Sequence, residues 1–182
     1  MKVYVHLATG FEEIEAITVV DVLRRAGITA ETVSIMKEHL VTGAHDISVK
    51  ADLLFEEADY DSCDMIVLPG GMPGTTNLGA HEGLGKKLRE FAEKDRWLAA
   101  ICAAPMVFGQ AGLLQDKTAV IFPGMESHLT GARLGKRPVE IDGNIITSKG
   151  PGTAMAFAMT LVQLLSGEQT AEALKKAMIL NI

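Results

Sequence analysis

Lys2-Val-Tyr-Val-His-Leu-Ala8, then Glu12-Glu-Ile-Glu-Ala-Ile-Thr-Val-Val-Asp-Val-Leu-Arg-Arg-Ala26, then Ile28-Thr-Ala-Glu-Thr-Val-Ser-Ile35: these three adjoining pieces decide the fold class. The first and third have strand composition, and Thr9-Gly10 makes a turn after the first. The middle piece repeats apolar residues at helical spacing through Val19, Val20, Val22, Leu23 and Ala26. Acids open it, Arg24 and Arg25 close it, and Gly27 stops it, as the helix dipole favours. Strand, helix and strand within about 35 residues make a βαβ unit, which implies parallel pairing.

The same rhythm continues downstream. Leu40–Gly43 and Asp46–Val49 read as a small hairpin, and Leu53–Tyr60 as a short acidic helix or turn. Cys63–Leu68 is a continuous apolar run of the kind buried on both faces. Gly83–Lys94 is an amphipathic helix with Leu84, Leu88 and Phe91 on one side, and Trp97–Ile101 is another buried strand. Thr118–Phe122 has strand composition, Glu126–Gly135 has no clear pattern, and Val139–Thr147 reads as a hairpin on Asp142-Gly143. Ala154–Leu165 and Glu168–Leu180 are helices separated by Ser166-Gly167. The sum is an α/β sandwich with a mostly parallel central sheet, expected as a single domain over residues 1–182.

Composition narrows the function classes. Net charge is −6 and no Lys/Arg cluster offsets it, which argues against nucleic-acid binding. No run of about 18 apolar residues exists to span a membrane, and the N-terminal apolar run is too short for a signal peptide. Two cysteines, Cys63 and Cys102, make no disulfide framework, and no paired Cys/His spacing supports a metal site. The expectation is a cytoplasmic, reduced protein with no bound metal or cofactor.

Three loops fall at the carboxyl ends of strands: Thr9–Glu15, Pro69–Gly74 and Ala100–Pro105. In a doubly wound sheet such ends converge on one crevice. Cys102 lies in a strand-to-helix turn, ahead of a proline suited to the first position of a helix. A thiol there is expected to have a lowered pKa; the alternative is a small buried cysteine acting as a hydrophobe. Cys63 reads as structural. Glu12 and Glu13 read as solvated acids at a helix start, whereas Glu15 follows apolar Ile14 and is a candidate to face inward as a hydrogen-bond donor or general acid. Gly70 and Gly71, with the amide of Ala103, are candidates for a backbone oxyanion cradle, or simply a tight turn. Gly150-Pro151-Gly152 opens a helix but lacks a phosphate-loop pattern. None of His6, His39, His45, His81 and His128 adjoins Cys102 in sequence. His39 and His81 read as surface residues.

Four stretches, Gly10-Phe-Glu-Glu-Ile-Glu15-Ala, Leu68-Pro-Gly-Gly71, Ala99-Ala-Ile-Cys102-Ala-Ala-Pro105 and Thr147-Ser-Lys-Gly-Pro-Gly-Thr153, together resemble the ThiJ/PfpI superfamily, in the branch of the DJ-one parkinsonism-associated protein and bacterial YajL. The resemblance implies a flavodoxin-like three-layer α/β/α sandwich and a homodimer. It implies Cys102 as nucleophile on a strained elbow, Glu15 as its acidic partner, and Gly70, Gly71 and Ala103 as the cradle. It further implies glutathione-independent conversion of methylglyoxal to lactate, or deglycation of proteins, so that the partner is a small dicarbonyl or a glycated protein. The alternative role in this branch is redox sensing through Cys102 or chaperoning. Phe122 stands where the human-type branch has a histidine, and His45 where relatives carry an arginine. Ala103 replaces the histidine of the peptidase branch. Phe122, His45, Gly150 and Pro151 are the remaining candidate pocket residues.

Overall fold

Alternation along the first strand, β1 (Lys2–Leu7), distributes its side chains between two layers. Val3, Val5 and Leu7 join one apolar cluster, while Tyr4 and the following Ala8 join another. This is the period-2 geometry of a strand buried on both sides. The computed structural model describes residues 1–181.

β1 leads into α1 (Glu13–Arg25) and β2 (Thr29–Ser34), which pairs parallel with β1 from Lys2↔Thr29 to Leu7↔Ser34. β3 (Leu40–Thr42) and β4 (Ser48–Lys50) form the expected antiparallel hairpin. The Leu53–Tyr60 segment differs from expectation. Leu53–Leu54 (β5) extends the sheet beside Val33 and Ser34, Phe55–Glu57 turns as a 3-10 helix started by the Leu54 N–H donating to Glu57, and a second 3-10 helix follows at Tyr60–Ser62.

β6 (Met65–Leu68) is buried throughout. It is followed by α2 (Gly74–Ala80), α3 (Glu82–Glu93), β7 (Trp97–Ile101) and the short α4 (Pro105–Gln110). β8 (Thr118–Ala119) is much shorter than its composition implies and pairs with β9 (Arg133–Leu134), outside the main sheet. Beyond Ala119 the backbone donors find other partners: Val120 N–H donates to Thr147 Oγ1, and Phe122 N–H to the Cys102 carbonyl. β10 (Val139–Asp142) and β11 (Ile145–Ser148) form a hairpin whose two turn residues are Gly143 and Asn144, because Asp142 pairs with Ile145. α5 (Ala154–Ser166) and α6 (Glu168–Ala177) complete the chain.

The seven-stranded sheet runs β10-β11-β7-β6-β1-β2-β5, and only β10 is antiparallel to its neighbour. Residues of α1, α5 and α6 cover one face, where Val19, Leu23, Phe157 and Leu161 meet Val5 and Val67. α3 and α4 cover the other, where Leu84, Leu88, Phe91 and Phe108 meet Ile66 and Leu98. This is a flavodoxin-like three-layer sandwich. A buried Leu or Phe contributes about 1.5–3 kcal/mol, so each layer is held by apolar burial. The strand order reverses between β1 and β6, which brings the carboxyl ends of β1, β6 and β7 side by side. Among the described residues no helix is long and apolar enough to cross a membrane.

Candidate active site

Main-chain contacts bring the three predicted loops together. The Glu12 N–H at the start of α1 donates to the Gly70 carbonyl at 2.9 Å, and the Gly74 N–H reaches the Gly10 carbonyl at 3.2 Å. Gly70 then passes between an acid and a thiol: a Cβ on it would lie 2.6 Å from Cys102 Cβ and 2.8 Å from Glu15 Oε2. Glycine at this position is what lets the two side chains share one space.

Cys102 has φ +63, the left-handed region that a side chain enters at a cost of about 1–3 kcal/mol. It is held there from both ends. Its N–H donates to the Ser148 carbonyl at 2.9 Å, and its own carbonyl accepts from the Phe122 N–H at 2.8 Å. The residue is 9% exposed, so the sulfur sits in a narrow opening.

Glu15 is fully buried. Its Oε2 accepts the Gly70 N–H at 2.7 Å, and its Oε1 is buried without a hydrogen-bond partner. Burial pushes its carboxyl up to about 7, with the charge of Glu12 adding to the rise and the Gly70 N–H and Cys102 opposing it. The direction at Cys102 runs opposite to the lowered thiol pKa expected from the sequence. Burial first, then the neighbouring Glu15, pushes Cys102 up to about 12, and the N–H groups of Ala103 and Gly71 only partly counter this. α4 is too short to present a strong positive helix end, and the sulfur is desolvated beside a carboxyl group. The two groups can share one proton, held as carboxylic acid plus thiolate or as carboxylate plus thiol.

The backbone cradle is divided. The N–H groups of Ala103 and Gly71 lie on the Cys102 side and favour its ionised form. The Gly70 N–H, expected to face a substrate, is instead committed to Glu15.

Glu12 and Glu13 correct the sequence reading, since both are buried rather than solvated. The β3–β4 hairpin covers them. Glu13 accepts the His45 N–H at 2.7 Å, His45 Nδ1 at 2.8 Å and the Ile47 N–H at 3.4 Å. Burial alone would raise Glu13, but these bonds outweigh it and hold the carboxyl below its usual range. His45 is therefore exposed and paired with Glu13, and its pKa is raised by that bond and by Glu12. Ligand atoms of Glu12, Glu13 and His45 lie within 4.8 Å of one another, so this is the one group among the described residues with metal-ligand spacing.

Three other histidines, His6, His39 and His81, serve the scaffold, and His128 is exposed. His6 is buried against Tyr60, with Nε2 2.7 Å from its hydroxyl, and burial lowers its pKa to about 3. His39 Nδ1 lies 3.0 Å from the Ala51 carbonyl. His81 is half-buried rather than on the surface, because its Nδ1 accepts the Leu84 N–H and caps α3. Cys63 is buried, with its thiol pushed up to about 12 by desolvation. Phe122, by contrast, comes to the mouth of the site, and Gly150 lies beside it. Pro151 begins the 3-10 turn after Gly150. Wider surface clefts of about 600 Å3 beside His81–Arg89 and about 650 Å3 beside Glu172–Asn181 are lined by neither Cys102 nor Glu15.

The profile of the DJ-1/PfpI family matches residues 1–164. The chain belongs to this family. It is 38% identical over 177 residues to an Arabidopsis thaliana DJ-1 homologue (homolog B), covering 97% of this chain but only 40% of that longer protein. It is 31% identical to a Pyrococcus abyssi protein named as a deglycase, covering 91% of this chain and 99% of the relative. The solved structure of oxidized Toxoplasma gondii DJ-1 superposes with a TM-score of 0.95 at 32% identity, over 100% of this chain and 99% of that one. Enzymatic activity is thus named within the family, on a relative matched along almost its whole length.

Proposed function

We propose that the protein is a cysteine-dependent, cofactor-independent enzyme acting on reactive carbonyls, converting methylglyoxal to lactate and removing early glycation adducts, in which sulfur displaces the protein amine from the carbinol carbon and the amine leaves. The supporting observation is the buried Glu15 carboxyl, one oxygen of it without a hydrogen-bond partner, next to Cys102. A carboxyl group raised to about 7 exchanges protons readily at neutral pH.

In this reading Glu15 takes the thiol proton as sulfur attacks the aldehyde carbon. A carbon–sulfur bond forms, and the carbonyl oxygen becomes a hemithioacetal hydroxyl. The Gly71 and Ala103 N–H groups stabilise that oxygen while it is negative. Glu15 then carries the C1 proton to C2 while the hemithioacetal hydroxyl proton passes to the C2 oxygen, oxidising C1 to a thioester and reducing the ketone C2 to an alcohol. Water cleaves the thioester, releasing lactate and the thiol, so no external oxidant or reductant is consumed. Lactate formation from methylglyoxal without glutathione should disappear in Cys102→Ser and fall at least about a hundredfold in Glu15→Gln, within the usual range for acid–base catalysis. Full activity in Cys102→Ser would end this reading.

The description of the Toxoplasma relative as oxidized favours a second reading, in which Cys102 is a redox sensor. Addition of two oxygens at Cys102 after mild peroxide, seen by intact mass and peptide mapping, supports it; a resistant Cys102 refutes it. We also read the chain as a homodimer. Ile14 and Ile17 on the outer side of α1 and Ile47 of the hairpin beside it are exposed apolar residues close to the site. Sedimentation at micromolar concentration should give twice the 19.5 kDa chain mass, and a single-chain mass would refute the dimer.

A further inference from the structure

Phe122 is a large apolar side chain at the mouth of a reactive site, and it is 44% exposed. Its place is set by the main chain, through the 2.8 Å bond from its N–H to the Cys102 carbonyl. A Cβ built on Gly150 would meet Phe122 Cδ2 at 3.3 Å, Cε2 at 3.6 Å and Cys102 Sγ at 4.0 Å. Ring edge and sulfur therefore border the same small space.

The polar groups on this side are already used. The Gly150 N–H donates to Thr153 Oγ1 at 3.1 Å, and the Gly150 carbonyl accepts the Thr153 N–H and hydroxyl, each at 2.8 Å. The Phe122 carbonyl accepts the Met125 N–H at 3.0 Å. The polar neighbours of Cys102 are Glu15, which borders it across Gly70, and the N–H groups of Gly71 and Ala103. The sulfur thus has polar neighbours in Glu15 and the amides and an apolar one in the Phe122 ring.

We infer that Phe122 is a specificity-determining residue: its ring is the wall on which the unreactive, apolar substituent of a carbonyl substrate packs, while the reacting carbonyl turns toward Glu15 and the amides. This rests on the proposed carbonyl chemistry and narrows it to α-dicarbonyls bearing an apolar, preferably aryl, substituent. An apolar face in contact with an aromatic ring favours such a group, whereas glyoxal has nothing to place there.

The test compares kcat/KM for glyoxal, methylglyoxal and phenylglyoxal in the wild type, Phe122→Ala and Phe122→Leu. The phenylglyoxal-to-glyoxal ratio should fall about tenfold in Phe122→Ala, equivalent to about 1.4 kcal/mol, and less in Phe122→Leu, which keeps an apolar wall. An unchanged ratio, or equal losses on all three substrates, overturns the assignment. A parallel arm uses no turnover: the rate of Cys102 alkylation by N-phenyliodoacetamide relative to iodoacetamide, read by mass spectrometry. If the wild type turns over no dicarbonyl, the enzymatic reading fails and this arm decides Phe122 alone. A fall of the aryl preference in Phe122→Ala supports the wall, and a constant preference overturns it.

Discussion

Replacing Glu15 by Gln tests whether the buried carboxyl holds a proton in the folded protein. The side chain is fully buried and its pKa is raised from 4.5 to about 7. A group whose folded pKa is raised contributes stability that is fully present below the unfolded value and lost as pH rises through the folded value. At about 1.4 kcal/mol per pH unit, the complete loss is about 3 kcal/mol. Glutamine has nearly the same shape, can still accept the Gly70 N–H, and does not ionise. Denaturant unfolding of both proteins from pH 5 to pH 8 should show Glu15→Gln gaining about 2.5 kcal/mol on the wild type as pH rises. Titrating groups that Glu15 does not perturb are common to both and cancel in the difference. A difference constant to within about 0.5 kcal/mol across this range would refute the raised pKa and remove the basis for proton exchange with Cys102. The alkylation profile gives a second reading. Removing the negative neighbour should lower the Cys102 pKa, so iodoacetamide should react at lower pH in the variant than in the wild type.

Two further expectations follow from contacts around the site. Gly70→Ala would place a methyl 2.6 Å from Cys102 Cβ, so it should destabilise by about 1–3 kcal/mol, lower the melting temperature and abolish turnover; wild-type stability would show that the loops separate freely. Glu13→Ala leaves the His45 and Ile47 N–H groups without their acceptor, costing about 1–3 kcal/mol, and hydrogen exchange at those two amides should accelerate. Because the Glu13 carboxyl is held below its usual range, its contribution is present above the ordinary carboxylate pKa and lost as pH falls, so wild type and variant should converge in acid.

Much of the architecture was legible in the sequence because its signals are local. The apolar run Met65–Leu68, the amphipathic spacing of Leu84, Leu88 and Phe91, and the βαβ pattern before Ile35 all lie in the predicted elements. Signals decided by distant partners were not legible. Thr118–Phe122 has the composition of a long strand, yet its donors go to Thr147 and Cys102. α2 is built from Gly, Thr and Asn, residues of weak helical propensity. It is started by the Gly71 and Pro73 carbonyls accepting the N–H groups of Thr75 and Asn77. Glu13 resembles any acid at a helix start, and only a hairpin about thirty residues away covers it. The Cys102 and Glu15 pairing was readable as types and order, but the direction of the thiol pKa depends on a desolvation that no local pattern records.

The two bonds that hold Cys102 both use main-chain atoms: its N–H to Ser148 and its carbonyl from Phe122. A main-chain anchor is indifferent to which side chain its partner carries. The identity of residue 122 can therefore change without releasing Cys102 from its left-handed turn. The scaffold separates inheritance of the reactive geometry from variation in what surrounds it, so related proteins can alter their chemistry at the rim one substitution at a time while the sulfur stays in place.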